Sequence, residues 1–228
     1  WDEFRDAARK ISEAGAFGWV QGHNHIDRNE ANLIEFAQVA GAPGPIDWAT
    51  GEYVYASEPF LTAMEFMLSL VKDGSLMPGS STLDTRNARA RWATGIGGQF
   101  LDGPWNPGVI QGNFPEFMEM TGVAQIPVME AGQQPIIRRD PAAGEFFISS
   151  QSEHPALAGE LLSLFTSEDF QVLLAERMDQ PPINLEATAR ADVHPIWAKG
   201  VELMNAITKL QPVHISHHNL CSNMSISC

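Results

Sequence analysis

Phe100-Leu101-Asp102-Gly103-Pro104-Trp105-Asn106-Pro107 is the stretch on which the reading of the fold turns. An apolar run stops abruptly at Gly103-Pro104. Glycine adds backbone freedom and proline cannot donate to a sheet ladder, so a strand ends there. Trp105 then stands on a turn beyond the strand's end, where open α/β sheets keep their ligand crevices. A large flat ring held there by a rigid turn suits a flat, hydroxyl-studded ligand such as a sugar. The competing reading is a tryptophan that closes the core at a strand end, since tryptophan is highly buried on average.

Working outward, short strands alternate with amphipathic helices. Trp1, Phe4, Ala8 and Ile11 recur at helical spacing, with Gly15 as the stop. Phe17 to Gln21 reads as a strand and leads into a polar loop, Gln21 to Arg28. Leu33, Ile34, Ala37 and Ala40 predict a helix, stopped by Gly41-Ala42-Pro43-Gly44-Pro45. Ser57-Glu58-Pro59 starts another, with Phe60, Met64, Met67, Leu68 and Val71 as its expected apolar face and Asp73-Gly74 as its end. A helix from about Leu83 to Ala93, with Gly95 as its stop, feeds the strand Ile96 to Leu101. Val123 to Val128 and Gly144 to Ser149 read as strands, with loop from Met129 to Pro141 between them. His154-Pro155 opens a helix carrying Leu157, Leu161, Leu162 and Phe165, and Ser167-Glu168-Asp169 caps the next. Pro181-Pro182 breaks that helix, and His194-Pro195 opens a last one through about Lys209. This alternation defines an α/β protein.

Composition narrows the function classes. The 228 residues suffice for one large or two small domains. Twenty-eight acids against 14 bases give a net charge of −14, which argues against nucleic acid and anionic membranes as partners. No run of about twenty apolar residues offers a membrane span. The chain shows no signal-peptide pattern, but it begins with Trp1, so this says nothing of compartment. Cys221 and Cys228, both in the last eight residues, would close a small local loop rather than a disulfide framework. Neither a G-x-S-x-G nucleophile elbow nor a Walker-type phosphate loop occurs.

Two groups of metal-type residues stand out. His23-Asn24-His25-Ile26-Asp27 has the H-x-H-x-D spacing of zinc hydrolases, in which two imidazoles and a carboxylate converge on the metal. The histidine that usually follows is Arg28 here. A zinc-dependent hydrolase using His23, His25 and Asp27 is therefore the alternative function to be weighed. His214, His217, His218 and Cys221 form a second soft-metal set, in a polar tail without periodicity.

The order of the pieces resembles the family 1 extracellular solute-binding proteins of ABC importers, the maltose-binding-protein-like group. Trp1-Asp2-Glu3-Phe4 resembles the family's "TWDEF" helix start. Ala31 to Gly41 resembles its helix ending in a small-residue turn, and Leu61 to Leu76, with Lys72-Asp73-Gly74, its "L…DG" helix end. Arg91-Trp92-Ala93-Thr94-Gly95 through Gly103-Pro104-Trp105 resembles "F-x-x-G-x-A-A-M…G-P-W". Phe147-Ile148-Ser149-Ser150 through His154-Pro155, Leu161 to Phe165, Thr166-Ser167 and Pro181-Pro182 resemble "I-S…S-x-H-P-x-x-A-x-x-F-L…L-T-S…P". The resemblance covers roughly residues 1 to 210.

The resemblance implies a two-lobed, periplasmic-binding-protein-like type II α/β fold, present here as a partial chain. Residues 1–143 are expected in the second lobe, 144–185 to cross back to the first lobe, 186–211 to return, and 212–228 to form an atypical tail. A first-lobe segment is expected before Trp1. The implied function is that of a substrate-binding component that captures a carbohydrate between two lobes and delivers it to permease subunits. No enzyme chemistry, cofactor or resident metal is implied. The expected state is a monomer, periplasmic or lipid-anchored outside the cell.

Within that frame Trp105 is the leading ligand contact, stacking on the C–H face of a sugar. Asn106 is its neighbour, able to donate to and accept from hydroxyls, with helix capping before Pro107 as the competing role. His23, Asn24 and His25 lie on the loop where the family presents contacts, and Glu145 stands at a strand entry as a hydroxyl acceptor. Trp19 is expected in the core. Trp48 is expected either to line the cleft or to pin its own loop.

Overall fold

The computed structural model describes residues 1–24, 31–47, 49–139, 146–178, 180–182 and 185–210. Helix α1 (Asp2–Glu13) forms where apolar residues recur at helical spacing. Asp2 and Glu3 in its first turn and Lys10 in its last complement the helix dipole. The chain reverses at Gly15, whose φ of +95° suits glycine, and enters β1 (Phe17–Trp19). Helix α2 (Ala31–Val39), the hairpin β2 (Ile46–Asp47) and β3 (Glu52–Tyr53), and α3 (Glu58–Lys72) follow.

From α3 the chain runs back beside β1. Trp19 N donates to Ser75 O at 2.8 Å and Met77 N to Trp19 O at 2.9 Å. A 3-10 turn (Ser80–Thr82), α4 (Thr85–Arg91) and a turn (Trp92–Ile96) kinked at Gly95, whose φ is +80°, then lead to β4 (Gly97–Gln99). Strand β4 pairs parallel with the other edge of β1, Phe17 opposite Gly97 and Trp19 opposite Gln99. Each parallel step is joined by helical crossovers, as parallel pairing requires. Helices α5 (Asn106–Asn113) and α6 (Pro115–Met118) complete this part.

The sheet separates two cores. Trp19, Phe36, Phe60, Phe66 and Leu70 form one, into which Trp1 stacks on Phe66 at 4.4 Å. Val20, the next residue along, enters the other with Met77, Trp92, Ile110 and Phe117. Neighbouring strand residues point to opposite faces, so both faces of the sheet are covered.

Further on come β5 (Ile137–Arg139), α7 (Pro155–Phe165), α8 (Glu168–Met178), α9 (Leu185–Arg190), α10 (Pro195–Ile207) and β6 (Thr208–Leu210). Strands β5 and β6 pair in parallel. Ala175, Trp197 and Val201 make a third core, which joins α8 to α10. Among the described residues no helix is long and apolar enough to cross a membrane.

The structure corrects several expectations. The buried face of α3 is Phe60, Ala63, Phe66 and Leu70, whereas Met64, Leu68 and Val71 are exposed. Both flanks of this helix are apolar, and packing on α2 selects one. Residues 123–128 are not a strand: Trp1 donates its indole N–H to Pro127 O at 3.0 Å and its amino group to Val128 O, and Pro127 has no N–H to give. Residues 146–149, part of the strand expected over Gly144 to Ser149, are likewise not in a sheet. The last helix stops at Ile207, because 208–210 pair with β5 inside the segment expected as loop.

Candidate functional site

The C-terminal ends of β1 and β4 carry two polar arms. The first follows β1. Buried Gln21 accepts from Leu101 N through Oε1 at 3.0 Å, tying the end of β1 to the end of β4. Gly22 packs so closely on the Leu83–Asp84 backbone that a Cβ would stand 2.5 Å from Asp84 O, which requires glycine there. His23 N then donates to Ser80 O at 2.8 Å and Asn24 N to Leu83 O at 3.0 Å.

The His23 ring is oriented by a relay. Its Nδ1 lies 2.6 Å from Ser80 Oγ, and Ser80 Oγ lies 2.7 Å from Gln21 O. A carbonyl only accepts, so the serine proton goes to Gln21. The arrangement that satisfies all three groups puts a proton on Nδ1 and leaves Nε2 a bare acceptor. Nε2 is buried, and the ring has the Asn32 side chain as a further hydrogen-bonding neighbour. The ring also meets Trp19 edge-on at 5.2 Å. Burial pushes the His23 pKa down to about 4, and the Asn32 side chain beside it works in the opposite direction. His23 is therefore neutral at physiological pH.

The second arm follows β4. Asp102 Oδ1 accepts from Gly103 N at 2.8 Å, and Gly103 O accepts from Asn106 N at 3.0 Å, which closes the turn. The six-membered part of the Trp105 indole rests directly on Gly103, where a side chain would overlap the ring. Trp105 stands half-buried at the N-cap position of α5. Asn106 is the first helical residue, so it does not cap the helix, and its Oδ1 is buried without a partner among the described residues. The same holds for Oε1 of Gln99, the last residue of β4. A buried acceptor without a donor is costly.

Of the residues expected from sequence, His23, Asn24, Trp105 and Asn106 thus stand at the same end of the β1–β4 pair. His25, Glu145 and Trp48 lie outside the described residues, as do Asp27, His214, His217, His218 and Cys221. Trp19 is fully buried, as expected. Among the described residues no three metal-ligating side chains converge, and His23 Nδ1 is engaged by Ser80. Gln21, Ser80, Gln99 and the Arg89–Asp102 pair were not singled out from sequence. A polar residue ending an apolar strand is the signal that marks Gln21 and Gln99. Nothing local links Arg89 to Asp102.

The Trp105 ring, beyond the C-terminal end of a parallel strand pair, stands where open α/β sheets keep their ligand crevices. Residues 1–172 match the family described as bacterial extracellular solute-binding protein, and the chain belongs to that family. Maltose-bound MalE3 of T. maritima superposes with a TM-score of 0.71 at 22% identity, over 98% of this chain and 57% of its own. The maltotriose-bound MalE domain of Bdellovibrio bacteriovorus gives 0.62 at 18%, over 96% and 57%. A Thermotoga lettingae ABC transporter solute-binding protein bound to α-D-tagatose gives 0.67 at 19%, over 91% and 51%. The fold is therefore that of the two-lobed, type II periplasmic binding proteins, and the chain spans little more than half the length of these structures. No curated protein matches it.

Proposed function

We propose that this chain belongs to the substrate-binding component of an ABC importer, which captures a carbohydrate between two lobes and hands it to a membrane permease. Trp105 carries the reading: a half-buried indole, backed by Gly103, beyond the C-terminal end of β4. One face is committed to the backbone, and the ring then suits stacking on the C–H face of a sugar. The imidazole of His23 and the amide of Asn106, on the two arms at this end of the strand pair, are residue types that suit hydroxyl recognition. Asn24 completes the first arm, and His25 and Glu145 are further contacts in this reading. The sugar-bound structures of like fold support the ligand class.

In this proposal residues 1–143 form most of the second lobe, 144–185 cross to the first lobe, and 186–211 return. The exposed apolar side chains of Phe146, Phe147, Leu157, Leu161 and Leu164 support the crossing, since they suit contact with a first-lobe surface. Ligand touching both lobes stabilises the closed form by its differential affinity, and the permease reads that form. The protein then works as a monomer, periplasmic or lipid-anchored outside the cell.

The test is calorimetric titration of a sugar panel, maltotriose included, against the protein from its complete reading frame. Trp105→Ala should weaken the best sugar by roughly 10- to 100-fold, equal to about 1.5–3 kcal/mol of lost aromatic contact. Unchanged affinity would remove Trp105 from the site.

A further inference from the structure

We infer that Arg89 is a positioning residue for the candidate site, fixing the turn that carries Trp105 through its ion pair with Asp102. The inference rests on the proposed ligand role of Trp105, but its geometry stands independently. Arg89 Nε lies 2.6 Å from Asp102 Oδ2, with side-chain exposures of only 13% and 5%. The other carboxylate oxygen, Oδ1, holds Gly103 N at 2.8 Å. Gly103 is the residue on which the indole lies. Helix α4 is thus joined to Trp105 by consecutive contacts, from guanidinium to carboxylate to backbone to ring.

The other end of the same segment holds the other arm. Ser80 Oγ meets His23 Nδ1, and Leu83 O accepts from Asn24 N. The Leu83–Asp84 backbone abuts Gly22. Asp84 starts α4 by accepting from Asn87 N at 2.7 Å, so the loop that holds the histidine arm runs directly into the helix that bears Arg89. Residues 80–89 therefore act as one bracket across the mouth of the site. A short helix transmits position rigidly, and a desolvated ion pair has one favoured geometry. Without Arg89, Asp102 is left as a buried carboxylate lacking its cation. Its cheapest escape is to rotate toward water, which drags Gly103 and lifts the surface under the indole. Lysine keeps the charge but not the Nε–H donor, so it restores the geometry only in part.

The experiment uses R89M, R89K and D102N in the protein from its complete reading frame. Trp105 emission is taken as the difference between each protein and its W105F counterpart. R89M and D102N should shift that emission to longer wavelength and raise its acrylamide quenching, with R89K intermediate. Maltotriose affinity should fall at least tenfold in R89M and in D102N. A variant that stays folded by circular dichroism and loses melting temperature without moving Trp105 emission makes Arg89 merely structural and overturns the inference. If R89M does not fold, R89K and D102N decide by the same readout. The two readings separate cleanly: if Trp105→Ala leaves maltotriose affinity unchanged, the ligand role of Trp105 falls, while the emission shifts still decide the positioning role.

Discussion

The helices packed on β1 and the segment around α7 are built from the same residue types and treat them oppositely. Phe36, Phe60 and Leu70 are at most 2% exposed. Phe146, Phe147, Leu157 and Leu164 are 69, 77, 64 and 54% exposed, and α7 buries none of its residues. A groove of about 500 Å³, lined by His154, Leu157, Ala158, Leu161 and Leu164 among others, runs along this open face. The difference lies in what stands opposite. The helices around β1 close on a sheet and on one another, whereas the end of α7 meets its chain neighbours at Phe165, which touches Phe170 at 5.0 Å and Phe146 at 5.4 Å and accepts from Gln171 Nε2 at 2.6 Å. Burial stabilises only where a second surface removes water, so an apolar stripe is a capacity that needs a partner to become stability.

Truncation tests this contrast most sharply. Leu70→Ala should cost about 3–4 kcal/mol in denaturant unfolding, the range for a fully buried leucine. Leu161→Ala, on the open face, should cost no more than about 0.5 kcal/mol in the same 228-residue chain. Equal costs would erase the distinction between the two regions. In the protein from its complete reading frame, a cost for Leu161→Ala that rises toward the Leu70 value would show that the groove is covered there.

Acid probes the polar edge of the packed region. His23 has a folded-state pKa of about 4 against an ordinary 6.5, so the neutral ring is the form the fold favours. Between those values the unfolded chain binds a proton that the native chain refuses. The stability contributed is complete above pH 6.5 and is lost as pH falls toward 4, up to about 3 kcal/mol. Asp6, Asp73 and Asp84, each held below the usual carboxylate range by hydrogen bonds to Lys10 and Arg9, to Arg5 and to Asn87 respectively, lose stability in the same direction. The His23 share is isolated by His23→Gln, whose stability should depend less steeply on pH from 6.5 to 4. A parallel profile in the two proteins would contradict the burial assigned to this ring.

A smaller effect is expected at the second arm. Gly103→Ala places a methyl group where the indole lies and should cost about 1–2 kcal/mol, the lower part of the overpacking range. It should also shift Trp105 emission. A neutral substitution with unmoved emission would mean that the ring does not rest on Gly103.

Much of the fold was legible where the governing chemistry is local. The Ser57-Glu58-Pro59 start and Asp73-Gly74 end of α3 stand where the residues place them, because caps and turns depend on a few consecutive backbone groups. Strand β4 ends at Gln99 and not at the expected Gly103-Pro104 stop, whereas the position of Trp105 on a turn beyond the strand was readable. The site was legible as a place rather than as a mechanism. His23 and Trp105 were expected there, but the Ser80 relay that sets the histidine tautomer joins residues 57 positions apart. Residues 123–128 alternate well enough for a strand, but whether they form one depends on Trp1, which takes the Pro127 and Val128 carbonyls from 126 and 127 positions away.

By itself the amino-acid sequence determined the alternation of strands and helices, the turns that end them, and the family whose order of pieces this chain follows. Those are set by sterics and backbone hydrogen bonding within a turn or two. Only the tertiary structure decided that α3 buries Phe66 and Leu70 rather than Leu68 and Val71, that Asn106 follows the cap rather than forms it, and that Arg89 clamps the turn bearing Trp105. Each of these is settled by which distant segment arrives to exclude water or supply a charge. The Gln21–Leu101 bond, spanning 80 positions, is the kind of contact through which that choice is made.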